Sequence, residues 1–573
     1  MKRLTTLLVG VVVLASLVAG CAAPAPEVVE VTRVVTEKEE VEVPVEVEVE
    51  VTRVVEPTPI PEPKTLRIVK MEPNVGLDPA TASTSLSIEV LWLMHDPLVE
   101  YDEDWQPIPW VAESWDTNED KSEWTFHIKE GLAFSDGSPI TAEDVKFSFE
   151  YMAARPAFSA VLSCIESIEV PDELTVVLKM NRPVPEFLFL PAGQVGYAVL
   201  SKAACEKGGC GDFTVPGVVT SGPWRLAEYV LRDHMTLVRN EYYGFEGLPK
   251  FDRVLLTWTG DRTAAVAAVE AGEADYTTPV NAPDAARLID NPNVSFYQAT
   301  TTSMRGWAFD KTKPPFNDKR VRQAIGYAVE PEEITESCWY GFANSLYGGV
   351  IFEQNAEWGG LLSRSPWKGI AREERLDMAN ELLTEAGWED RDGDGVRESY
   401  GIAGIADGTP LTAEAVYEKP WVQAECQGLL TQDYLKDIGF DLTLQGLPKT
   451  NYWPDAVAGK FGMWHIGLPS SPLPWEGFRD LFHPDGRFFQ HGARVFGAQG
   501  DKLKADIDAI IAEQDFETKK QMMSDLADYL ADEQFMVCTG NQNTLVATNG
   551  RLEGYYALWT GSPHPLTWAD IPE

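Results

Sequence analysis

The chain has 573 residues, more than one compact core organises, which predicts two or three lobes. Its 89 acids against 47 bases give a formal net charge of −42, and no Lys/Arg cluster forms a stripe that would neutralise a phosphate backbone, so the charge argues against nucleic acid as a partner. Beyond the N-terminus no apolar run is long enough to span a membrane.

Residues 1–21 read MKRLTTLLVGVVVLASLVAGC: Lys2 and Arg3, a short apolar stretch, then small residues leading to a cysteine. That is the pattern of a secretory signal, expected over 1–20. The ending LVAGC resembles a bacterial lipobox, in which processing leaves Cys21 first and attaches lipid to its sulfur; the other reading is ordinary cleavage nearby with an incidental cysteine. Each buried acyl methylene contributes about 0.8 kcal/mol. A multiply acylated Cys21 is therefore expected to hold the protein on the outer face of the cytoplasmic membrane, in the periplasm or at the cell surface.

From Ala22 to Pro63 the chain is dominated by Val, Glu and Pro, and VEVTRVV occurs twice, at 29–35 and 49–55. Three bases against eleven acids leave this stretch at −8. Strict Val/Glu alternation has the period of a strand, but a row of glutamates on one face repels itself. Residues 21–63 are expected to be an extended, solvated, lipid-anchored stalk closed by PTPIPEP, with a short self-associating strand as the alternative.

The folded body begins near Lys64. TLRIVK, 65–70, predicts a strand, and NVGLDPATASTSLSIEVLWLMHDPLVEYD carries a polar loop into a helix that ends before Asp96 and Pro97. In SEWTFHIKEG, Trp124, Phe126 and Ile128 alternate as one strand face. SDGSP, 135–139, is a turn; Thr141 is a helix N-cap, Asp144 three positions on resembles a capping box, and Glu143 favours the same helix end. Val145, Phe149 and Met152 then form a buried stripe. Structure accounts for most of these acids, and catalysis is not required.

Longer blocks carry a resemblance. WVAESWDTNEDKSEWTFHIKEGLAFSDGSPITAEDVKFSFEYM (110–152), TSGPWRLAEYVLRDHMTLVRNEYYGFEGLPKFDRVLL (220–256), AAVEAGEADYTTPV (267–280), KPPFNDKRVRQAIGYAVEPEEI (313–334) and ANELLTEAGWEDRDGDGVRE (379–398) occur in one order. Together they resemble the family 5 extracellular solute-binding proteins, the oligopeptide- and dipeptide-binding group that serves ABC importers; Ser221 and Trp224 depart from the family's Gly-x-Gly-Pro-Tyr block. The resemblance implies an α/β, two-lobe periplasmic-binding-protein-like fold (type II) with an extra inserted domain. Lobe I is expected over 64–100, 219–300 and 536–573, the inserted domain over 101–218, and lobe II over 301–535. It further implies a monomer that closes on a small solute and docks on membrane permease subunits, energy coming from separate ATPases. Consistently, the chain has no GxxxxGK[ST] nucleotide loop.

Eighteen tryptophans exceed what a core of this size needs, and most of them are expected to pack inside. Trp453 in KTNYWPD, Trp464 and His465 in GKFGMWHIGL, and Trp475 in SSPLPWEGF lie where the resemblance places cleft-lining residues. Arg305 and Trp307 lie on the strand entering lobe II, with side chains expected on one face, and Ser85, Ser221 and Ser471 complete the expected substrate-binding set. Aromatic faces stack on sugar rings or apolar side chains, and Arg or His binds an anionic terminus or hydroxyls. Peptide binders of the resembled group carry an acid for the ligand's ammonium near Ser470 and Ser471, whereas GLPSSPLPW offers no carboxylate before Glu476. A buried ammonium without a counter-charge is costly. Peptide therefore remains the default cargo, with an oligosaccharide or other uncharged solute beside it.

Removing Cys21 leaves Cys164, Cys205, Cys210, Cys338, Cys426 and Cys538, and of these only Cys205 and Cys210, flanking the GG of CEKGGC, read as a disulfide from local spacing. DRDGDG, with Asp390, Asp392 and Asp394, matches the first half of a calcium loop, and Glu398 stands at position nine; but Gly401 stands at twelve, where a bidentate Glu belongs. A structural calcium ion competes there with a plain acidic turn. No other cofactor is expected. Seven scattered histidines form no metal-carrier constellation. The rival classes are a secreted carbohydrate-active hydrolase, for which no paired-acid motif, G-x-S-x-G or H-E-x-x-H is present, and a sensory ligand-binding protein with the same cleft physics. A non-enzymatic binding protein is the preferred reading.

Overall fold

The computed structural model describes residues 62–71, 77–80, 85–102, 106–155, 162–184, 187–189, 198–210, 213–348, 366–468, 474–486, 489–490, 494–558 and 564–572. The signal, the lipobox cysteine and nearly all of the stalk lie outside them. Residues Glu62–Glu573 form one compact unit, and no helix among the described residues is long and apolar enough to cross a membrane.

A mixed sheet organises the body. On one side, Thr65–Met71 runs parallel to Arg253–Thr259 and to the short strand Tyr276–Thr277, and the antiparallel strands His234–Arg239 and Trp224–Val230 extend its edge. On the other, Thr412–Lys419 runs parallel to both Asp441–Pro448 and Met463–Leu468. Two long antiparallel strands, Val294–Phe309 and Met536–Asn549, join the halves. Their ends at Val294 and Asn549 lie with the first set, and their ends at Phe309 and Met536 with the second. The ladder between them slips between Thr300 and Met304, and the bonds lost there are replaced by side chains. Asn541 donates to the carbonyls of Thr301 and Ser303 (2.6 and 2.9 Å), and Thr301 Oγ1 donates to the Gln542 carbonyl (2.6 Å). The lobe boundary thus crosses both strands near residues 300–304 and 541–543. Residues 536–541, placed by the sequence in lobe I, pair within lobe II.

The region between Tyr101 and Val218 holds a separate antiparallel sheet ordered Ala112–Thr117, Glu123–Ile128, Thr175–Met180, Ile165–Asp172. Trp124, Phe126 and Ile128 are buried on one face together with Val176, Leu178 and Met180, because alternate residues of a half-buried strand share a side. Helix Ala142–Ala153 covers this sheet with Val145, Phe149 and Met152. Its Asp144 carboxylate accepts the Thr141 N–H (3.0 Å), the Thr141 hydroxyl (2.7 Å) and the Lys202 N–H (2.9 Å), while Glu143 pairs with Lys202 Nζ at 2.9 Å. The helix start therefore occupies both acids. The preceding helix, Ser85–Trp92, stops three residues before His95 and Asp96.

Several buried charges are paired. Arg322 binds Glu533 and the Phe316 carbonyl, Arg375 binds Glu330, and Arg67 binds Asp275. Lys70 is paired with Glu89, and His564 lies between Asp96 (3.2 Å) and Glu100 (2.9 Å).

Candidate functional site

Strand directions locate a cleft. Tyr276–Thr277 is antiparallel to Met536–Asn549, so its parallel partner Thr65–Met71 runs toward the hinge, and Arg253–Thr259 with it. Met463–Leu468 is antiparallel to Val294–Phe309, with Leu468 opposite Met304, so it also runs toward the hinge, with Thr412–Lys419 and Asp441–Pro448 beside it. The carboxyl ends of both parallel sets therefore point at the same hinge. Crevices outside such strand ends are where α/β sheets bind ligands, because loops and helix N-termini converge there without a β-ladder to satisfy.

From the lobe II side, the chain leaving Lys419 delivers Trp421, and the strand at the hinge delivers Arg305. The guanidinium lies 5.0 Å from the Trp421 ring centroid. Its Nε and Nη2 both donate to Gln542 Oε1 (3.1 and 2.5 Å), and Nη1 donates to the Met304 carbonyl (3.0 Å) and to Ser303 Oγ (3.4 Å). Gly467, opposite Arg305 in the ladder, makes the contact feasible: a Cβ there would sit 2.6 Å from Trp421 Cη2 and 3.1 Å from Arg305 Nη1. Behind Trp421, His465 stands edge-on at 5.0 Å between ring centroids and hydrogen-bonds Gln427 through Nε2. Burial, with the neighbouring charge of Arg305, pulls the His465 pKa down to about 3, so the ring is neutral.

From the lobe I side, the chain leaving Thr259 turns at Asp261, whose carboxylate accepts the Thr263 N–H (2.8 Å) and caps helix Arg262–Glu270. Arg262, the first residue of that helix, is solvent-exposed, and desolvation lowers its pKa. Arg305 keeps partial solvent access, and burial together with the charge of Arg262 lowers its pKa to about 10. Both remain cationic at neutral pH. Among the described residues neither forms an ion pair with a carboxylate.

The remaining residues expected at the site divide by burial. Trp453 is half-buried in helix Lys449–Val457, donates its indole N–H to Glu418 (2.7 Å) and meets Tyr452 edge-on. Trp475 is buried near the start of helix Pro474–Phe482, and its indole N–H has no acceptor among the described residues. Trp307 and Trp464 are 0 % and 1 % exposed, so in place of the expected ligand contact they fill the core, Trp307 donating to Thr431 Oγ1 at 3.0 Å. Arg305 and Trp307 keep the shared face expected of alternate residues: their ladder with Met463–Leu468 is unbroken, the extra residue of the nearby bulge, Thr539, lies on the partner strand, and His465 meets both the Trp307 ring (5.4 Å) and the Trp421 ring that faces Arg305. Ser221 is likewise buried, its Oγ accepting the Asp96 N–H (3.1 Å), and this ties the loop before Trp224 to the end of the first helix. Ser85 is the first residue of helix Ser85–Trp92, its side chain outside the described set, and Ser471 lies outside the described residues.

Trp421, Gln542 and Arg262 were not singled out from sequence. The only signals were positional: Lys-Pro-Trp directly after a strand, and Asp-Arg opening a helix after another. Away from the hinge, carboxylate oxygens of Asp390, Asp392, Asp394 and Glu398 lie within 4.8 Å of one another, and the turn's own N–H groups donate to the three aspartates. Cys205 is bonded to Cys210, and Cys338 to Cys426, a pairing the spacing did not reveal.

Residues 106–489 match the profile of the bacterial extracellular solute-binding proteins, family 5. The nickel-binding periplasmic protein of Escherichia coli K12 is 26 % identical over 465 residues, covering 77 % of this chain and 82 % of that one. An ABC transporter peptide-binding protein of Brucella ovis is 27 % identical over 401 residues, 67 % of this chain and 70 % of the relative. Among solved structures, NikA of Brucella suis in complex with Fe(III)-EDTA superposes with a TM-score of 0.72 at 20 % identity, over 88 % of this chain and 100 % of that one. AppA of Bacillus subtilis with a nonapeptide gives 0.67 at 20 %, over 89 % and 100 %. These structural likenesses establish the shared fold, and the profile establishes the lineage: the chain belongs to the bacterial extracellular solute-binding proteins of family 5.

Proposed function

We propose that the protein captures a small solute between its lobes and delivers it unaltered to the permease of an ABC importer, anchored to the membrane through lipid on Cys21. The observation that carries this reading is the convergence of two sets of strand carboxyl ends on one hinge crossed by two strands. A solute held there touches both lobes only when they close, so its binding energy favours the closed form. Relatives named for peptides and for nickel support a small-molecule cargo, and peptide and oligosaccharide are the two classes the sequence favours. The DRDGDG turn is proposed as a structural calcium site. Its all-oxygen donor set suits that ion, and a melting temperature raised by calcium chloride and lowered again by EDTA would bear this out.

The test is a thermal-shift screen paired with small-angle scattering. A cargo at 100 times its Kd adds about 2.7 kcal/mol of stability and shrinks the scattering envelope. Scattering that stays unchanged with every bound cargo, or a cargo recovered cleaved, would overturn the reading, the second outcome in favour of a hydrolase. Cys21→Ala should release the protein from the membrane fraction.

A further inference from the structure

We infer that Arg305 is a positioning residue that couples the Trp421 ring to the irregular segment of the hinge, so that a solute seated against Trp421 biases the angle between the lobes. This rests on the solute-capture reading above and names the residue through which closure is transmitted.

The hinge is not uniform along its length. Between the pair Thr300 with Asn543 and the pair Met304 with Asn541, residues 301–303 of one strand face Gln542 alone. Between Arg305 with Gly540 and Gly306 with Cys538, the partner strand carries the extra residue Thr539. Such irregularities bend a strand locally and leave backbone groups outside the ladder. Of the two crossing strands, the one holding Gln542 is the stiffer. Its other edge pairs with Ala343–Ser345 at Gly540, Asn541 and Gln542, and Asn344 Nδ2 donates to Asn541 Oδ1 (3.1 Å) and to Asn543 Oδ1 (3.2 Å). A third strand thus ties residues 540–543 to lobe II, and bending falls to 301–303, where side chains replace the ladder. Beyond Arg305 the strands are fixed together again, because Gly306 packs directly on the backbone of Val537 and Cys538.

Arg305 sits between the two irregularities, and its guanidinium bonds to the first. Nη1 donates to Ser303 Oγ (3.4 Å) and to the Met304 carbonyl (3.0 Å), and Nε and Nη2 donate to Gln542 Oε1 (3.1 and 2.5 Å). The Gln542 carbonyl in turn accepts the Thr301 hydroxyl at 2.6 Å. These bonds all end on the bending segment, on the residue next to it, or on the residue facing it. The other contact of the guanidinium is the Trp421 ring, 5.0 Å away at its centroid. Trp421 arrives from a separate segment of lobe II, and its ring otherwise meets Trp339 and His465 edge-on, neither of them in the irregular segment.

A guanidinium suits this task and an ammonium does not. Its rigid fork reaches Gln542 through two N–H groups while its flat face lies against an indole, so both partners fix one plane. A displacement of Trp421 tilts that plane, and the plane carries Ser303 and Gln542 with it. Coupling of two places requires an element with alternative arrangements that both of them bias, and a segment of three residues held against one by side chains supplies it.

The experiment is hydrogen exchange on the full-length protein, read at the backbone amides of residues 300–304, with small-angle scattering beside it. In the unliganded protein, Arg305→Met and Gln542→Leu should each speed exchange there by roughly 3- to 30-fold, and the double variant no more than either alone. Gln542→Glu should keep the segment protected, because a carboxylate accepts from the same two donors. Trp421→Ala should speed exchange at 300–304 in wild type and add nothing in Arg305→Met. An equal effect of Trp421→Ala in both backgrounds overturns the inference, since the ring would then reach the hinge by another route. Exchange raised throughout the fold of Arg305→Met, with a lowered melting temperature, also overturns it by making the arginine a general structural residue. With trialanine and cellotetraose as probe solutes, the one that binds should slow exchange at 300–304 in wild type and fail to do so in Arg305→Met. A bound probe that shrinks the scattering envelope while exchange at 300–304 stays at its unliganded rate overturns the coupling and leaves solute capture standing. A bound probe that leaves the scattering curve unchanged overturns solute capture itself.

Discussion

Cys338, in helix Pro331–Trp339, is covalently joined to Cys426, in helix Val422–Lys436, across 88 residues of sequence, with their Cα atoms 5.6 Å apart. Closing a loop of that length removes about 4–5 kcal/mol of chain entropy from the unfolded state, far more than the five-residue loop of Cys205–Cys210. Cys338→Ser with Cys426→Ser should lower the urea midpoint substantially, and the corresponding Cys205/Cys210 double variant much less. Equal losses from the two pairs would contradict this ordering. Cys538, buried and with its thiol pKa pushed up to about 12, should stay unreactive toward alkylating reagents in the native protein.

His564 is fully buried between Glu100 and Asp96. Burial pulls its pKa down, but the two carboxylates outweigh burial and raise it to about 9. A folded-state pKa above the unfolded value of about 6.5 means the pairing stabilises fully below that pH and is lost as pH rises through 9. The amount at stake is about 3 kcal/mol. Denaturant midpoints should fall between pH 6.5 and 9.5 in wild type, and His564→Gln should be less stable at pH 6.5 and largely lack this slope. A variant with the wild-type slope would remove His564 from the account.

Two glycines allow the hinge to pack. A Cβ on Gly306 would lie 2.1 Å from the Val537 carbonyl oxygen and 2.7 Å from Cys538 Cα, both backbone atoms that cannot step aside. Gly306→Ala should cost roughly 2–3 kcal/mol in equilibrium unfolding. Gly467→Ala meets instead the tip of the Trp421 ring, which can move. That variant should fold with a smaller loss but bind cargo more weakly, because Trp421 no longer lies flat against Arg305. Unchanged cargo affinity in Gly467→Ala would separate Trp421 from the site.

The two remaining tryptophans expected at the site should behave differently. Trp475 is buried, so Trp475→Ala should lower stability by roughly 3–5 kcal/mol whatever the ligand. Trp453 is half-buried, and Trp453→Ala should weaken cargo binding with a smaller effect on melting. Identical melting and binding in Trp453→Ala and wild type would exclude it from the ligand wall.

Local chemistry made several elements readable in advance. Alternation of Trp124, Phe126 and Ile128 identified a strand, and Thr141 with Asp144 marked a helix start. Both signals act over a few residues, which is the range at which pleat and capping geometry operate. The family was readable for a related reason: several such segments recur in one order. The tryptophans show the limit. Trp307 and Trp464 have the same strand context whether they face a core or a cleft, and only tertiary packing decides: helix Val422–Lys436, with Thr431 against the Trp307 indole, covers Trp307, and Trp464 is buried in the other core cluster.

By itself the sequence determined the elements, the lineage and the absence of an acid in Pro469–Pro474, because each depends on residues adjacent in the chain. Tertiary structure alone decided which loops meet. Arg305, Trp421 and Gln542 come from three separate segments, and only the tertiary structure brings them together at the hinge. The physical reason is that hydrophobic periodicity specifies which side of an element is buried, whereas the charge of a site is set by side chains converging from elements that periodicity treats independently.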